Sequence, residues 1–234
     1  MMRVLVVDDE RLARAELRRL LAAHPEIEIV GEAANAGQAI AQVAALRPDL
    51  LLLDVQMPGA SGFDLLEALD AAPEVVFTTA FDQYALRAFE VNALDYLQKP
   101  ICAARLAVAL ERAARRLGTP PAGMPAPPRK LFIRDGERCW FVALDRIRLF
   151  ESEGNYTRVY FDDARPLMPR SLTQLEERLA PERFLRASRR HIVNLTFVER
   201  MTPNAAGGLD LLLPGAVTVE VSRRRAAQLR ALGS

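Results

Sequence analysis

A proline-rich stretch divides this chain of 234 residues and limits how it can fold. Residues 118–128 read GTPPAGMPAPP and hold five of the fifteen prolines and two of the twelve glycines. Proline lacks a backbone donor and favours extended conformations, so regular helices and strands do not continue through such a stretch. We therefore predict two domains, residues 1–117 and 129–234, joined by a semi-rigid linker over residues 118–128.

The two halves of the chain carry opposite net charges. Residues 1–117 contain 12 Lys+Arg against 17 Asp+Glu, net −5, whereas residues 118–234 contain 19 against 13, net +6. A basic half suggests a polyanionic partner, and an acidic half is compatible with a metal ion or a basic partner. On charge alone, a solvated surface is the alternative explanation for either half.

The first half alternates between two kinds of apolar pattern. Short β-rich runs occur at residues 4–7, 27–31, 50–53, 75–78 and 96–97. Longer amphipathic stretches follow them at residues 11–23, 36–46, 63–69, 83–91 and 103–117. Such alternation is typical of an α/β doubly wound sheet, so we predict five parallel strands with helices on both faces.

The second half has a different pattern, dominated by short segments. Apolar runs broken by turn signals lie at residues 131–134, 139–143, 148–152, 158–161, 197–201, 209–213 and 217–221. Helical spacing appears only at residues 172–179 and 223–232. We therefore predict a mostly-β domain.

Neither a membrane span nor a cysteine framework is indicated. No apolar run approaches the roughly 20 residues of a membrane helix, and the first apolar run stops after a handful of residues. The two cysteines, Cys102 and Cys139, lack the spacing of a metal site. We expect both to be core residues of a cytoplasmic protein without membrane contact.

Polar residues follow four of the predicted parallel strands. They are Asp8 and Asp9, Asp54, Thr79 after Thr78, and Lys99. The carboxyl ends of parallel strands meet at one sheet edge, so these side chains should converge. Three converging carboxylates repel one another unless a hard cation such as Mg²⁺ neutralises them. Asp54 is the best phosphoryl acceptor, since it lies between a buried strand and the Gln56-Met57-Pro58-Gly59 loop.

The composition draws attention to one cation of this set. Of the 31 cationic residues, 29 are arginine, and Lys99 and Lys130 are the two lysines. A lysine at a strand end suggests a need for a compact point charge on a phosphoryl or carboxylate oxygen. Chance placement is the alternative.

Four ordered motifs, LVVDDE, LLLDVQMPGASG, FTTAFD and DYLQKP, resemble the receiver domain of two-component response regulators across residues 1–117. The resemblance implies that Asp54 accepts a phosphoryl group from a cognate sensor histidine kinase. It also implies a flavodoxin-like fold and roles for six further residues. Those roles are a Mg²⁺ site formed with Asp54 by Asp8, Asp9 and the backbone carbonyl of Gln56, and a switch formed by Thr79, Lys99 and Tyr96.

The second half is similar to the LytTR-type DNA-binding domain over roughly residues 130–232. The resemblance rests on FES followed by NYTR from residue 150, on FLRASRRHIVN from residue 184, and on VSRR from residue 221. It implies groove contacts by Asn155, Thr157, Arg158, Arg189 and Arg223, and phosphate contacts by Arg186, Arg190 and Arg224. Many members have His at the position of Ser188 and Ser at that of Arg190, so local hydrogen bonding differs here.

Together these features predict a phosphorylation-controlled transcriptional regulator. We expect it to dimerise on activation through residues 83–91, 96–97 and the last receiver helix, and to bind direct or inverted repeats in double-stranded DNA. We expect no enzymatic turnover beyond slow self-catalysed phosphotransfer and dephosphorylation. One alternative is a receiver that controls an RNA-binding or protein-interaction module. Another is a regulator that keeps the receiver fold without using phosphorylation.

Overall fold

The computed structural model of the chain describes residues 1–80, 94–118, 130–136 and 138–226. Its contacts form two compact units, Met1–Phe141 and Val142–Ser234. The predicted helix at residues 83–91 and most of the predicted linker lie outside the described residues. The first unit therefore continues beyond the predicted linker, whereas the sequence placed residues 129–141 with the basic half.

The first unit contains nine described helices and strands before its final hairpin. They are β1 (Met2–Val7), α1 (Arg11–Leu21), β2 (Ile27–Ala33), α2 (Ala36–Leu46), β3 (Leu50–Asp54), α3 (Gly62–Ala68), β4 (Glu74–Thr79), β5 (Asp95–Gln98) and α4 (Ala103–Leu117). The strand order is β2-β1-β3-β4-β5 and every pairing is parallel. The predicted doubly wound, flavodoxin-like sheet is confirmed.

The apolar run of β3 shows why this sheet forms. Leu50, Leu51, Leu52 and Leu53 are all fully buried. Leu51 and Leu53 belong to the core cluster on one face of the sheet, and Leu50 and Leu52 belong to the cluster on the other. A strand covered on both faces needs a continuous apolar run rather than alternation, as this sequence has.

A two-stranded hairpin, β6 (Lys130–Asp135) with β7 (Arg138–Ala143), follows, and the first unit ends within β7 at Phe141. Phe132 is buried within the same core cluster as Phe63 of α3. The two rings stack with centroids 6.4 Å apart, and Phe132 also contacts Phe141 at 5.1 Å. This aromatic packing is the physical reason that residues 130–141 lie with the first unit.

The second unit is mostly β, as predicted. After a 3₁₀ helix (Leu144–Arg146) come β8 (Ile147–Glu153), β9 (Tyr156–Phe161), β10 (Leu167–Met168), α5 (Leu172–Glu176), β11 (Phe184–Arg186), β12 (His191–Asn194), a 3₁₀ helix (Leu195–Phe197), β13 (Arg200–Pro203), β14 (Leu209–Leu213) and β15 (Val217–Val221). The sheets have the orders β10-β9-β8-β12-β11 and β13-β14-β15. Residues 223–226 begin the predicted last helix.

The cysteine prediction is half wrong. Cys139 is buried, but Cys102 is exposed immediately before α4. Its position at a helix N-terminus on the surface, rather than within an apolar stripe, explains the difference. Within the described ranges, no helix is both long and apolar enough to span a membrane.

Candidate functional site

Three carboxylates meet where the strand order of the first unit reverses, outside the carboxyl ends of β1 and β3. Oxygen atoms of Asp8, Asp9 and Asp54 all lie within 4.8 Å of one another. Asp8 is fully buried and Asp54 is 5% exposed. The parallel sheet thus brings together the three acidic side chains that the sequence placed at this edge.

Lys99 supplies the positive charge of this cluster. Its Nζ lies 2.8 Å from Asp8 Oδ2 and 3.1 Å from Asp54 Oδ2. The end of β5 holds it there, because the backbone N–H of Lys99 donates to Thr79 O at 2.8 Å. One ammonium faces three carboxylates, so the cluster retains an excess of negative charge.

Burial and charge act in opposite directions on these groups. Burial raises the pKa of Asp54 and the Asp8 carboxylate adds to the rise, while the Lys99 ammonium opposes it. Burial by itself lowers the pKa of Lys99, but its hydrogen bond to Asp8 and the charges of both aspartates raise it overall. Lys99 therefore remains a cation beside the proposed acceptor.

The predicted switch residues lie on the neighbouring strands. Thr79 is fully buried at the end of β4, and Tyr96 of β5 is half-buried against the core cluster that contains Phe77, its partner in the sheet register. Gln56 donates its backbone N–H to Asp54 Oδ1 at 3.3 Å. Coordination of a metal ion by the backbone carbonyl of Gln56 stays a prediction.

Arg14 is a residue of this site that sequence reasoning missed. Its Nη1 donates to the carbonyl oxygens of Asp8 at 2.7 Å and Asp9 at 3.1 Å, which fixes the backbone that carries both carboxylates. Arg14 shares a helix face with Leu17 and Leu21, which are buried against the sheet. The helical spacing of Arg14, Leu17 and Leu21 could have identified Arg14 from the sequence, because it turns the Arg14 side chain towards the strand ends.

In the second unit, the β8–β9 turn and the loop at residues 187–190 lie at the same end of the five-stranded sheet. Ser152 donates its backbone N–H to Arg190 O at 2.8 Å, joining the loop to the end of β8. Asn155, Arg189 and Arg190 are exposed there. Two of the three predicted DNA-contact segments are therefore adjacent.

Comparison with known proteins decides the family. Residues 4–111 match the response regulator receiver domain, and residues 137–234 match the LytTr DNA-binding domain. The chain is 35% identical over 229 residues to the sensory transduction protein LytT of Enterococcus faecalis, covering 95% of each chain. The chain belongs to the LytTR-type response regulators.

Two further similarities complete the comparison. The transcriptional regulatory protein BtsR of Salmonella typhi is 38% identical to this response regulator over 240 residues, covering 98% of each chain. The response regulatory domain of mrkE from Klebsiella pneumoniae is 32% identical, covering 49% of this chain and 96% of its own, with a TM-score of 0.45.

The structure contradicts one predicted groove contact of the LytTR domain. Thr157 is fully buried, and its hydroxyl donates to Arg170 O at 2.6 Å. Thr157 alternates along β9 with exposed or half-buried residues, so its side chain points into the protein interior. The neighbouring Asn155 is exposed, and its groove contact stays a prediction.

The predicted arginines differ in how far they are engaged within this response regulator. Arg158 donates to both carboxylate oxygens of Glu153 and to Arg165 O, and Arg223 donates through Nε to Ala206 O. Arg190 donates through Nη2 to Glu151 Oε1 at 3.2 Å. Exposed arginines occupy four of the predicted positions, which are Arg189, Arg190, Arg223 and Arg224.

Arg186 also departs from its predicted role. Its side chain is only 13% exposed, and its guanidinium donates to carbonyl oxygens of its own loop. Its Nε and Nη2 are engaged by these carbonyls and its Nη1 is buried, so this conformation does not present the guanidinium at the surface for the predicted phosphate contact.

Proposed function

We propose that this response regulator is switched by phosphorylation of Asp54, with a cognate sensor histidine kinase as the donor. An Asp54 carboxylate oxygen attacks the phosphorus of the kinase phosphohistidine. The new O–P bond forms as the P–N bond breaks, and the electron pair returns to the imidazole nitrogen. The observation that carries the proposal is the Lys99 ammonium 3.1 Å from Asp54 within a cluster of three carboxylates.

Mg²⁺ is the proposed cofactor. The carboxylates of Asp8, Asp9 and Asp54 and the backbone carbonyl of Gln56 would hold it. Their oxygens suit a hard cation, and three carboxylates with one ammonium leave negative charge for it to neutralise. When bound, Mg²⁺ supplies positive charge to the oxygens of the transferred group.

The switch residues would then respond to the new charge on Asp54. Lys99 would exchange part of its contact with the carboxylates for a phosphoryl oxygen, and Thr79 would turn its hydroxyl towards the same group. The hydrogen bond from Lys99 N to Thr79 O, at 2.8 Å, links the two strand ends. Tyr96 packs against the strand that carries Thr79, so it is placed to follow such a movement.

Acetyl phosphate labelling tests the acceptor. The full chain with Mg²⁺ should form a phosphorylated species on a phosphate-affinity gel, and the Asp54→Asn variant should form none. Asp64→Asn is the matched control, since it removes a carboxylate from α3 outside the cluster. Undiminished labelling of the Asp54 variant would defeat the assignment.

The metal has a test of its own that needs no phosphorylation. A ligand that binds only the folded state raises the free energy of unfolding with its concentration. We expect Mg²⁺ to stabilise the wild-type chain and not the Asp9→Asn variant. Equal stabilisation of both would place the bound ion elsewhere.

We further propose that the LytTR domain binds double-stranded DNA through its exposed loop residues. Affinity should fall steeply with salt, by about 0.9 in log–log slope for each neutralised phosphate. Arg189→Ala should cost discrimination between specific and scrambled duplexes, whereas Arg190→Ala should weaken both similarly. A flat salt response, or tighter binding to single-stranded RNA, would refute this function.

Activation is proposed to proceed through dimerisation in the cytoplasm. A receiver dimer would place two LytTR domains on direct or inverted repeats, and the linkage would raise apparent affinity. The protein then acts as a phosphoacceptor, with slow self-catalysed phosphotransfer and dephosphorylation but no other turnover. Sedimentation with and without beryllofluoride should show a larger dimer fraction in the activated sample. An unchanged monomer in both would contradict the proposal.

A further inference from the structure

Arg186 lies at the end of β11, directly before the loop at residues 187–190, in which Arg189 and Arg190 are exposed. Its Nε donates to Ser188 O at 2.7 Å, and its Nη2 donates to Arg189 O at 3.0 Å. The guanidinium therefore holds two successive carbonyl groups of the loop. A planar fork with several donors suits this task, because it fixes both carbonyls relative to one rigid group.

Glu176 pairs with Arg186 and links it to the last helix. Glu176, at the end of α5, has Oε2 3.7 Å from Arg186 Nη1, and its Oε1 accepts a hydrogen bond from Arg225 Nη2 at 2.8 Å. Arg225 belongs to the helical residues that follow Ser222. One carboxylate thus joins the loop arginine to the start of the last helix.

The burial of Arg186 argues against a role in holding phosphate. Its Nη1 is buried without a hydrogen-bond partner among the described residues, and the side chain is 13% exposed. Burial lowers the pKa of Arg186, while the Glu176 carboxylate counteracts this effect. Because burial of a guanidinium is costly, we expect Arg186 to have a structural role inside the domain.

Further hydrogen bonds fix the backbone of the loop. Arg190 donates its N–H to Ser188 Oγ at 3.1 Å, and Ser222 donates its N–H to Ala187 O at 3.2 Å. Arg189 is exposed, whereas its carbonyl oxygen is held by Arg186. The backbone geometry that orients Arg189 therefore depends on the Arg186 guanidinium.

We propose that Arg186 is a positioning residue for DNA recognition that acts through Arg189. The contacts of Glu176 with Arg186 and Arg225 fix the position of the loop relative to the last helix. The proposal rests on the proposed DNA-binding function. It assigns Arg186 and Glu176 to sequence discrimination although neither touches the duplex.

The test measures two quantities on the full chain. The wild-type protein first selects a duplex from a random pool, and fluorescence anisotropy then gives its affinity for that duplex and for a scrambled version over a range of salt. We expect Arg186→Gln to lower the ratio of the two affinities by about 5- to 150-fold, the size of one bidentate base contact. The salt slope should stay at its wild-type value.

A phosphate ligand would behave differently. Losing it would weaken both duplexes alike and reduce the salt slope by about 0.9. That result, with discrimination intact, would overturn the positioning role while leaving DNA binding established. If the wild-type chain selects no preferred duplex, DNA recognition itself fails, and the positioning role fails with it.

Two further variants separate positioning from general damage. On an Arg189→Ala background, Arg186→Gln should cost little additional discrimination, because it acts through the missing side chain. Fully additive losses would contradict this. Arg186→Lys should not restore discrimination, since one ammonium cannot hold both carbonyls in a fixed plane.

The Glu176→Gln variant tests the proposal through the direction in which DNA binding changes. It gives a result even if Arg186→Gln fails to fold. Removing a negative charge should tighten binding to any duplex if charge alone matters. We expect instead a lower ratio of the affinities for the specific and the scrambled duplex. Equal tightening on both duplexes would overturn the proposed role of Glu176. Arg146→Gln is the matched control for Arg186→Gln, because Arg146 precedes β8 at the opposite end of the sheet from the loop. Discrimination by the Arg146→Gln variant should be unchanged.

Discussion

Arg134 of β6 donates from Nη2 to Asp64 Oδ1 of α3 at 2.9 Å, across 70 positions of sequence. Its Nε also lies 2.7 Å from Glu67 Oε1 on the same helix. Asp64 has a second role, because it forms a capping box with Ser61 at the start of α3. One carboxylate therefore supports both the helix and the docking of the hairpin on it.

This arrangement predicts a pH dependence of stability. The hydrogen bond from Ser61 lowers the pKa of Asp64, with a smaller contribution from Arg134. A carboxyl with a lowered folded pKa contributes stability above its unfolded pKa of about 3.9, and this contribution is lost as the pH falls through the folded value. We expect Asp64→Asn to reduce the free energy of unfolding near pH 7 by at most about 1 kcal/mol, since Asp64 is partly exposed.

The measurement is urea unfolding of both proteins from neutral to acidic pH. The gap between wild type and Asp64→Asn should close in acid, where wild-type Asp64 is also protonated. A gap that keeps its size at every pH would show that charge plays no part in the effect.

Aromatic packing gives a second prediction for the same hairpin. Phe132 is 2% exposed and lies between Phe63 and Phe141. Phe132→Ala should cost about 3–5 kcal/mol, because it removes a buried ring and leaves a cavity. Hydrogen exchange of the β6 and α3 amides should accelerate accordingly.

Phe150→Ala serves as the matched control, because Phe150 is fully buried in the second unit. It should accelerate exchange in β8 and leave α3 unaffected. If α3 exchange is the same in Phe132→Ala and wild type, the hairpin does not protect that helix.

The fold of the receiver was predictable because its strands and helices have strong local signals. The continuous apolar run of β3 and the amphipathic spacing of α2 and α4 fixed their positions closely. The convergence of Asp8, Asp9 and Asp54 followed from parallel topology alone. The docking of the β6–β7 hairpin on α3 has no comparable local signal. In the sequence, Phe132 has the same pattern as any other β-strand residue of the second half.

Side-chain direction in the LytTR domain was the least predictable feature. The motif FLRASRRHIVN presents several arginines in a row, and sequence alone does not say which one turns inwards. Arg186 does so because the loop carbonyls and Glu176 receive its guanidinium, whereas Arg189 remains exposed. The Glu176 carboxylate also receives Arg225, which is 49 positions away, and a linear sequence pattern does not show such a contact.

A third prediction concerns Thr157, whose hydroxyl donates to Arg170 O inside the domain. Thr157→Val keeps the side-chain shape but removes this donor, so it should lower the free energy of unfolding by about 1–3 kcal/mol. Sequence discrimination by the folded protein should be unchanged. Thr157→Ser keeps the hydroxyl and should recover most of the stability, and a loss of discrimination in Thr157→Val would restore Thr157 as a base contact.

The last prediction uses the pair formed by Tyr160 and Glu151 on adjacent strands. The Tyr160 hydroxyl donates to Glu151 Oε2 at 2.6 Å. Burial and this hydrogen bond to a carboxylate raise the pKa of Tyr160 to about 12, because ionisation would give up the hydrogen bond and place two negative charges together. Glu151→Gln should therefore move the pKa towards the ordinary tyrosine value of about 10.

Carbon-13 NMR of labelled tyrosine follows this ionisation directly, and Tyr160→Phe identifies the resonance. Glu153→Gln is the control on the same strand, since Glu153 pairs with Arg158 rather than with Tyr160. Its effect on the Tyr160 pKa should be much smaller than that of Glu151→Gln. Equal shifts in the two variants would mean that overall charge, and not the hydrogen bond between β8 and β9, holds the proton on Tyr160.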